Sequence, residues 1–257
     1  MKVTIITVCY NSESTIRDTL ESVFNQNYED IEYIIIDGLS KDNTIKIIHE
    51  QGEKITHFTS EPDKGIYDAM NKGIDLANGD IIGILNSDDL YYDKEIISLI
   101  ANIFQEDNNI DAVYGNLLYF ETENPHKSVR YWKSISFYED FFDDGFIIPH
   151  PTLFVRKSVY DNLGNYYPYF KISSDYEFMI RAFKVNKFIP FYLDKVIVKM
   201  RMGGESTKNW KNILIGNVEI YKAWKMNNLS VPFFFYVKRF IFKFKQLIYS
   251  EPFNNGK

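Results

Sequence analysis

Ile81-Ile82-Gly83-Ile84-Leu85-Asn86-Ser87-Asp88-Asp89 runs from an unbroken apolar segment into two adjacent carboxylates. A strand buried on both faces of a parallel sheet shows such a continuous apolar run. In open α/β sheets the ligand crevice lies outside the carboxyl ends of the strands, so Asp88 and Asp89 stand where a ligand would be. A solvated turn can hold two neighbouring acids, and so can a hard divalent cation with oxygen ligands. On this pair alone the turn is the commoner outcome, and the flanking sequence decides between them.

Upstream, the same alternation occurs three more times. Val3–Val8 is an apolar run closed by Cys9-Tyr10-Asn11-Ser12, and Ile16, Leu20, Val23 and Phe24 then fall on one face of a helix capped by Ser12 or Ser14. Tyr33–Ile36 ends at Asp37-Gly38, with Asp42 placed to cap a short helix carrying Ile45 and Ile48. Ile55–Phe58 is a weaker strand, followed by Asp63 and a helix with Ile66, Met70, Ile74 and Ala77 on one face, stopped by Asn78-Gly79. Downstream of the acidic pair, Asp93 precedes a helix with Ile96, Ile97, Ile100, Ile103 and Phe104 facing inward. Asp89 is read as capping the segment from Leu90 onward, with ligation through water as the alternative. Strands alternating with helices imply a mostly parallel sheet with right-handed crossovers. Asp37, Asp63 and Asp88 then follow successive strands and gather at one sheet edge, beside the Cys9–Ser12 loop.

Beyond residue 105 the pattern changes. Ala112–Tyr114, Leu117–Phe120 and Val129–Trp132 are short, β-branched and aromatic, and read as antiparallel strands. Ile147-Ile148-Pro149-His150-Pro151 is barred from helix by its prolines. Thr152–Val155 and Val196–Met200 read as further strands. A helix begins near Ser173-Ser174-Asp175, Gly203-Gly204-Glu205-Ser206 reads as a loop, and a later helix is expected to turn Ile213, Val218 and Trp224 inward. Trp132, Trp210 and Trp224 are read as core packing before sugar stacking. The segment 231–257 carries five basic residues against one acid among many aromatics. It reads either as a membrane-surface helix or as a helix packed on the domain.

The bulk numbers agree with a globular α/β chain of 257 residues. A net charge of −6 excludes the basic footprint of a general nucleic-acid binder. One cysteine, Cys9, excludes an internal disulfide and a multi-cysteine zinc site, and fits a reducing compartment. The N-terminal sequence lacks the pattern of a signal peptide, and no apolar run is long enough to span a membrane. A glycine-rich phosphate loop after the first strand is absent, so a nucleotide at this edge would be held by other means. A carboxylate can accept the imide N–H of a pyrimidine, and a metal can neutralise a diphosphate.

Four motifs, Val8-Cys9-Tyr10-Asn11, Ile36-Asp37-Gly38 through Thr44, Asp63-Lys64-Gly65-Ile66-Tyr67-Asp68-Ala69-Met70-Asn71-Lys72-Gly73 and Leu85-Asn86-Ser87-Asp88-Asp89, occur in this order. In this the chain resembles the family-2 inverting glycosyltransferases of bacterial polysaccharide synthesis, over roughly residues 1 to 205. The resemblance implies a single α/β domain of the A-type glycosyltransferase fold: a mostly parallel, Rossmann-like sheet flanked by helices, with a smaller antiparallel part and a C-terminal helical tail. It implies a nucleotide-sugar-binding half over residues 1–105, an acceptor-binding half of the same domain over 106–225, and a basic aromatic tail over 226–257. The implied donor is a nucleotide-sugar, usually of UDP, and the implied cofactor is Mn²⁺ or Mg²⁺.

By the same resemblance the backbone around Val8, the ring of Tyr10, Asn11, Asp37 and Asp63 line the nucleotide, with Asp37 on the base. Asn86-Ser87-Asp88 matches the Asp-x-Asp motif, with Asp88 the metal ligand and Asn86 departing from the usual acid. Met70 stands where an arginine is frequent, and Lys72 or Lys64 is the substitute for its contact. Asp175, in Ser174-Asp175-Tyr176-Glu177-Phe178 with Arg181, is the implied catalytic base, and Gly203–Ser206 resembles a loop closing near the diphosphate. His150 contacts the acceptor or the metal, or orders its own loop. The expected reaction is transfer of one sugar to a glycan or lipid-linked glycan. The expected setting is cytoplasmic, with peripheral contact to the inner membrane face through the tail. A non-catalytic scaffold of the same fold is the alternative.

Overall fold

In β1 (Val3–Cys9) every residue is buried, and alternate side chains enter opposite cores. Ile6 and Val8 face one layer; Val3, Ile5 and Cys9 face the other. This is the burial on both faces that the continuous apolar run requires. The structure, a computed structural model, describes residues 1–121, 124–203 and 210–248.

β1 pairs in parallel with β2 (Ile31–Asp37) on one side and β4 (Ile81–Ile84) on the other, and β3 (His57–Ser60) extends the sheet beyond β2. The helices between them are α1 (Ile16–Phe24), α2 (Thr44–His49) and α3 (Ile66–Leu76), with α4 (Ile96–Glu106) after the acidic loop. Asp42 does serve α2, accepting the Thr44 N–H at 3.0 Å, although the helix boundary lies one residue later, at Asn43. At α1 neither serine caps by its side chain; the Ser12 carbonyl accepts the Thr15 and Ile16 N–H groups instead. Asp93 accepts the Glu95 N–H just ahead of α4. Asp89 does not cap a helix, because Asp89–Tyr91 forms a short strand, β5.

The sheet continues into the second half without a break, in the order β3-β2-β1-β4-β8-β6-β9-β5, with β7 on β6. Here β6 spans Ala112–Glu121, β7 Asn124–Trp132, β8 Phe154–Arg156 and β9 Pro190–Arg201. β8 runs antiparallel to both β4 and β6, and β7 antiparallel to β6, as expected. Two expectations are corrected. Ala112–Tyr114 and Leu117–Phe120 are one strand, because Gly115-Asn116 continues it through a shift of register against β9. That pairing of β6 with β9 is parallel.

α5 (Lys157–Leu163) and α6 (Ser174–Met179) follow, the latter running on as a π-helical segment over Ile180–Val185. α7 (Trp210–Met226) inverts part of its expected orientation: it buries Gly216, Glu219, Ile220, Ala223 and Trp224, while Ile213 and Val218 are each 47% exposed. α8 (Phe235–Ile248) packs on the domain through Phe235 against Trp224 and Phe242 against Phe146, with ring centroids 5.6 and 4.8 Å apart. Among the described residues no helix is long and apolar enough to cross a membrane.

Candidate active site

The loops that leave β1, β2, β3 and β4 at their carboxyl ends are knitted together. Ser12 Oγ and Ser87 Oγ lie 2.8 Å apart, joining the first loop to the acidic one. Asn11, held at φ +48°, donates its N–H to Ser40 Oγ and accepts the Lys41 N–H, joining the first loop to the second. Ser60 Oγ donates to Asp37 Oδ2 at 2.7 Å, joining the ends of β2 and β3. The gathering of strand ends expected from the alternation is therefore a continuous hydrogen-bonded wall.

Asp37 is wholly buried in it. Its Oδ2 also accepts the Ser40 N–H, and its Oδ1 accepts the Ser40 hydroxyl and, at 3.5 Å, the Cys9 thiol. Both oxygens are engaged inside the protein. Burial, followed by the Asp37 charge, pushes the Cys9 thiol far above its ordinary pKa, so it stays protonated and donates. The surface offered at this point is formed by other groups. Gly38 lies under Asp63 and Tyr10: a Cβ there would collide with the Asp63 carboxylate and sit 3.4 Å from the Tyr10 ring. Tyr10 is 59% exposed, an aromatic face turned outward beside a carboxylate and a bare backbone.

The Val8 side chain is in the core, 5% exposed, which leaves only its backbone for a contact at this edge, as expected of it. Lys72 reaches the same loop but is engaged there, donating to the Pro62 carbonyl at 2.8 Å and pairing with Glu61 at 2.8 Å. Met70 is buried in the core, so its position presents nothing to a ligand.

At the end of β4 the two carboxylates differ. Asp88 is half-buried, and burial raises its pKa against the opposing charge of Arg201. Asp89 is fully buried, and burial together with the Asp88 charge raises its pKa further. Asn86 donates to Asp89 Oδ2 at 3.1 Å. Asn86 Oδ1 and Asp89 Oδ1 are buried with no hydrogen-bond partner. Burying oxygens without partners is costly, and native proteins rarely do it without a purpose. These atoms and the Asp88 carboxylate form a set of hard oxygen donors. Among the described residues no group of three or more acidic, histidine or cysteine side chains is arranged to hold a metal by itself. The donor set thus fits a cation that takes one or two carboxylates and completes its shell with phosphate oxygens and water, as Mg²⁺ does with nucleotides.

Asp175 lies in the first turn of α6 and is joined to this wall through α3. The Tyr67 hydroxyl is 2.9 Å from Asp175 Oδ1 and 2.7 Å from the Ile172 carbonyl, one proton facing two acceptors. Beside it, His150 Nε2 lies 3.1 Å from the Tyr166 hydroxyl, which lies 3.1 Å from that of Tyr160. Burial lowers the His150 pKa and the Asp175 charge opposes the shift. The loop before α6 is fixed by Glu219 of α7, whose carboxylate accepts the N–H groups of Lys171, Ile172 and Ser173 at 2.8, 2.8 and 3.0 Å. Arg181 is structural: it pairs with Glu177 and donates to the carbonyls of Leu163, Gly164 and Asn165.

Residues 4–163 match the family model described as glycosyl transferase family 2. The chain belongs to that family. Its relatives in the family include PGL/p-HBAD biosynthesis glycosyltransferases of Mycobacterium bovis and Mycobacterium tuberculosis, 27% identical over 197 residues, spanning 75% of this chain and 74% of theirs. An uncharacterised glycosyltransferase of Mycobacterium tuberculosis is 30% identical over 182 residues, 70% of this chain and 68% of its own. Among solved structures, S. aureus TarS 1–349 in complex with UDP-GlcNAc superposes with a TM-score of 0.70 at 19% identity, over 100% of this chain and 75% of that one. The Pyrobaculum calidifontis mannosyltransferase PcManGT, in complex with GDP-Man and Mn²⁺, gives 0.63 at 14% identity, over 98% and 76%. Both likenesses establish the A-type glycosyltransferase fold.

Within this family-2 glycosyltransferase, four residues escaped the sequence reading. Tyr67 sat inside a quoted motif but gave no sign that its hydroxyl meets Asp175. Glu219 was hidden in a helix whose inward face was misassigned. Arg201, which ion-pairs with Asp18 and stacks over Phe120 at 5.0 Å, closes β9 and sends its charge to Asp88 and Asp89. Arg239 was one of the basic residues of the tail, with nothing in the sequence to show that it turns inward. The expected Gly203–Ser206 loop lies, from Gly204 on, outside the described residues.

Proposed function

We propose that the protein is an inverting glycosyltransferase that moves one sugar from a UDP-sugar to the hydroxyl of a glycan or lipid-linked glycan. The observation that carries the reading is the contrast between two carboxylate environments, at the end of β4 and at the start of α6. Asp88 stands at the β4 end among unpartnered oxygens. Asp175 stands across the α3 bridge, held by a single tyrosine hydroxyl.

The uracil rests on the Tyr10 ring over Gly38, beside Asp63. Asp37 shapes this floor, and it reaches the base only by exchanging one of its serine hydroxyl partners, both of which can rotate. Asp88, with Asn86 and Asp89, would hold a Mn²⁺ or Mg²⁺ beside the donor diphosphate. When bound, that ion supplies positive charge against the negative charge developing on the departing diphosphate. Asp175 takes the proton from the acceptor hydroxyl. The acceptor oxygen attacks the anomeric carbon from the face opposite the diphosphate, one C–O bond forms, and the bond to the diphosphate breaks with its electron pair on the leaving oxygen. A single displacement inverts the anomeric centre. A lipid-linked acceptor at a membrane face is supported by α8, whose outer side is apolar and exposed.

The test is release of UDP from a panel of UDP-sugars, in the presence of a glycolipid extract as acceptor source. Replacing Asp175 by Asn should cut release ~10²- to 10⁴-fold, the contribution of a positioned general base, while UDP still binds. Near-normal release from Asp175→Asn would overturn its role. A second reading, a scaffold of the same fold without turnover, is favoured by Asn86, which leaves the crevice one charge short of the usual motif. It predicts UDP binding with no release from any UDP-sugar.

A further inference from the structure

α8 has two distinct faces. Phe233 and Phe234, just before it, and Val237, Phe240 and Ile241 within it point to solvent, with Phe233 93% and Phe240 70% exposed. Phe235, Arg239 and Phe242, at i, i+4 and i+7, point into the domain. Two of these three are aromatics in aromatic pockets. The third is an arginine, an unusual choice for a face packed so closely that a Cβ on Gly145 would lie 2.8 Å from the Arg239 backbone nitrogen.

The Arg239 guanidinium lies over the Tyr176 ring at 6.0 Å, the outer limit of a cation–π contact. Its Nη1 is buried and has no hydrogen-bond partner. Among the described residues Arg239 forms no ion pair. Arg181 makes the contrast, since every part of its fork meets a carboxylate or a carbonyl. Tyr176 is the neighbour of Asp175, and the Asp175 charge acts on the Arg239 guanidinium without an ion pair between them. A buried guanidinium wants a bidentate oxyanion, and none of the described residues provides one here.

We propose that Arg239 is an acceptor-binding residue, which receives an oxyanion of the acceptor, a phosphate ester or a carboxylate, beside Asp175. The proposal rests on the reading of Asp175 as the base. It gives the tail helix a second task. Its outer face meets the lipid side of the acceptor, and its inner face fixes the charged group of the same molecule, so that the hydroxyl to be glycosylated is presented to Asp175. Acceptors without an anionic group would then be poor substrates.

The experiment is calorimetric titration of inorganic phosphate, and separately of acetate, into the full-length protein with UDP and Mg²⁺ already saturating. Wild type should bind one of the two anions. Arg239→Gln should weaken it at least about tenfold, as expected for loss of a charge-assisted bidentate contact, with Arg239→Lys in between. Phosphate binding indicates a phosphate-ester acceptor and acetate binding a carboxylate-bearing one. UDP affinity and thermal melting of both variants, measured alongside, show that the fold and donor site are intact. If Arg239→Gln melts early, the Arg239→Lys titration alone decides, since it keeps the charge and loses the fork. No anion binding by wild type, or binding equal in wild type and both variants, overturns the proposal. Failure of UDP itself to bind would instead strike the donor reading, and phosphate titrated without UDP would still test Arg239.

Discussion

Tyr67 of α3 meets both the Ile172 carbonyl and the Asp175 carboxylate with one hydroxyl. It is buried, and burial, followed by the Asp175 charge, drives its pKa well above the ordinary phenol value, so it acts as a donor throughout the working pH range. Its position argues that it aims the Asp175 carboxylate. Tyr67→Phe removes the donor without opening a cavity and leaves the Ile172 carbonyl short of a partner. We expect a stability loss of about 1 kcal/mol, the net worth of an ordinary hydrogen bond, read from denaturant unfolding. We also expect UDP release to fall while UDP affinity holds; unchanged release would mean that Asp175 is placed by its helix alone. His150 has a separate signature. Burial lowers its pKa in the folded state, so the unfolded chain binds more protons as pH falls below about 6.5. Stability from this group is therefore present above that pH and lost as pH drops through the lowered folded value. His150→Gln should flatten the melting temperature between pH 7 and pH 5 relative to wild type, as measured by a pH series of thermal melts. An unchanged slope would show that His150 is not what titrates.

At the scale of elements, the alternation in the first half was legible because β1, β2 and β4 are buried on both faces and each helix carries one apolar stripe, whereas β3, only partly buried, gave the weakest signal. The second half was harder for a physical reason. α7 buries glycine, alanine and a glutamate where it meets the loop before α6, and turns isoleucine, leucine and valine outward. Gly216 permits that approach: a Cβ there would meet Ile172 Cγ2 at 3.2 Å. A reading that sends apolar residues inward finds Trp224 on such a helix and misplaces Ile213 and Val218. In the tail, the packed reading of α8 holds for one side, and the membrane-surface reading stays a proposal for the other. One face packs on the domain; the other is an exposed aromatic stripe. Between Trp210 and Ile248 seven cationic side chains face one carboxylate, Glu219, which is buried and engaged. An apolar stripe among cations suits an anionic bilayer surface. Replacing Phe233, Phe234 and Phe240 together by Ser should reduce co-sedimentation with anionic vesicles at least about tenfold, since each buried aromatic is worth ~1.5–3 kcal/mol, and should leave the melting temperature nearly unchanged. Vesicle binding equal to wild type would leave α8 as a packing element alone.

The whole molecule is built on one mixed sheet, and the proposed function puts donor chemistry at the ends of its parallel strands and acceptor chemistry on the helices that follow. Of the site, Asp63, Asp88 and Asp175 were visible as motif positions. What stayed hidden was their state: Asp37 enclosed by its own loop, Lys72 drawn into ion pairs, and Arg239 delivered from a helix some sixty residues beyond Asp175. Spacing in sequence reports which residues share a face, and it does not report which hydrogen bonds they have already made. The central claim is that the edge beside β4 binds a nucleoside diphosphate together with a divalent cation. Calorimetric titration of UDP, with and without Mn²⁺, into wild type and Asp88→Ala tests it directly. The account predicts binding strengthened by Mn²⁺ in wild type, with that strengthening lost in Asp88→Ala. UDP binding that ignores both the ion and the substitution, or no UDP binding at all, would contradict it.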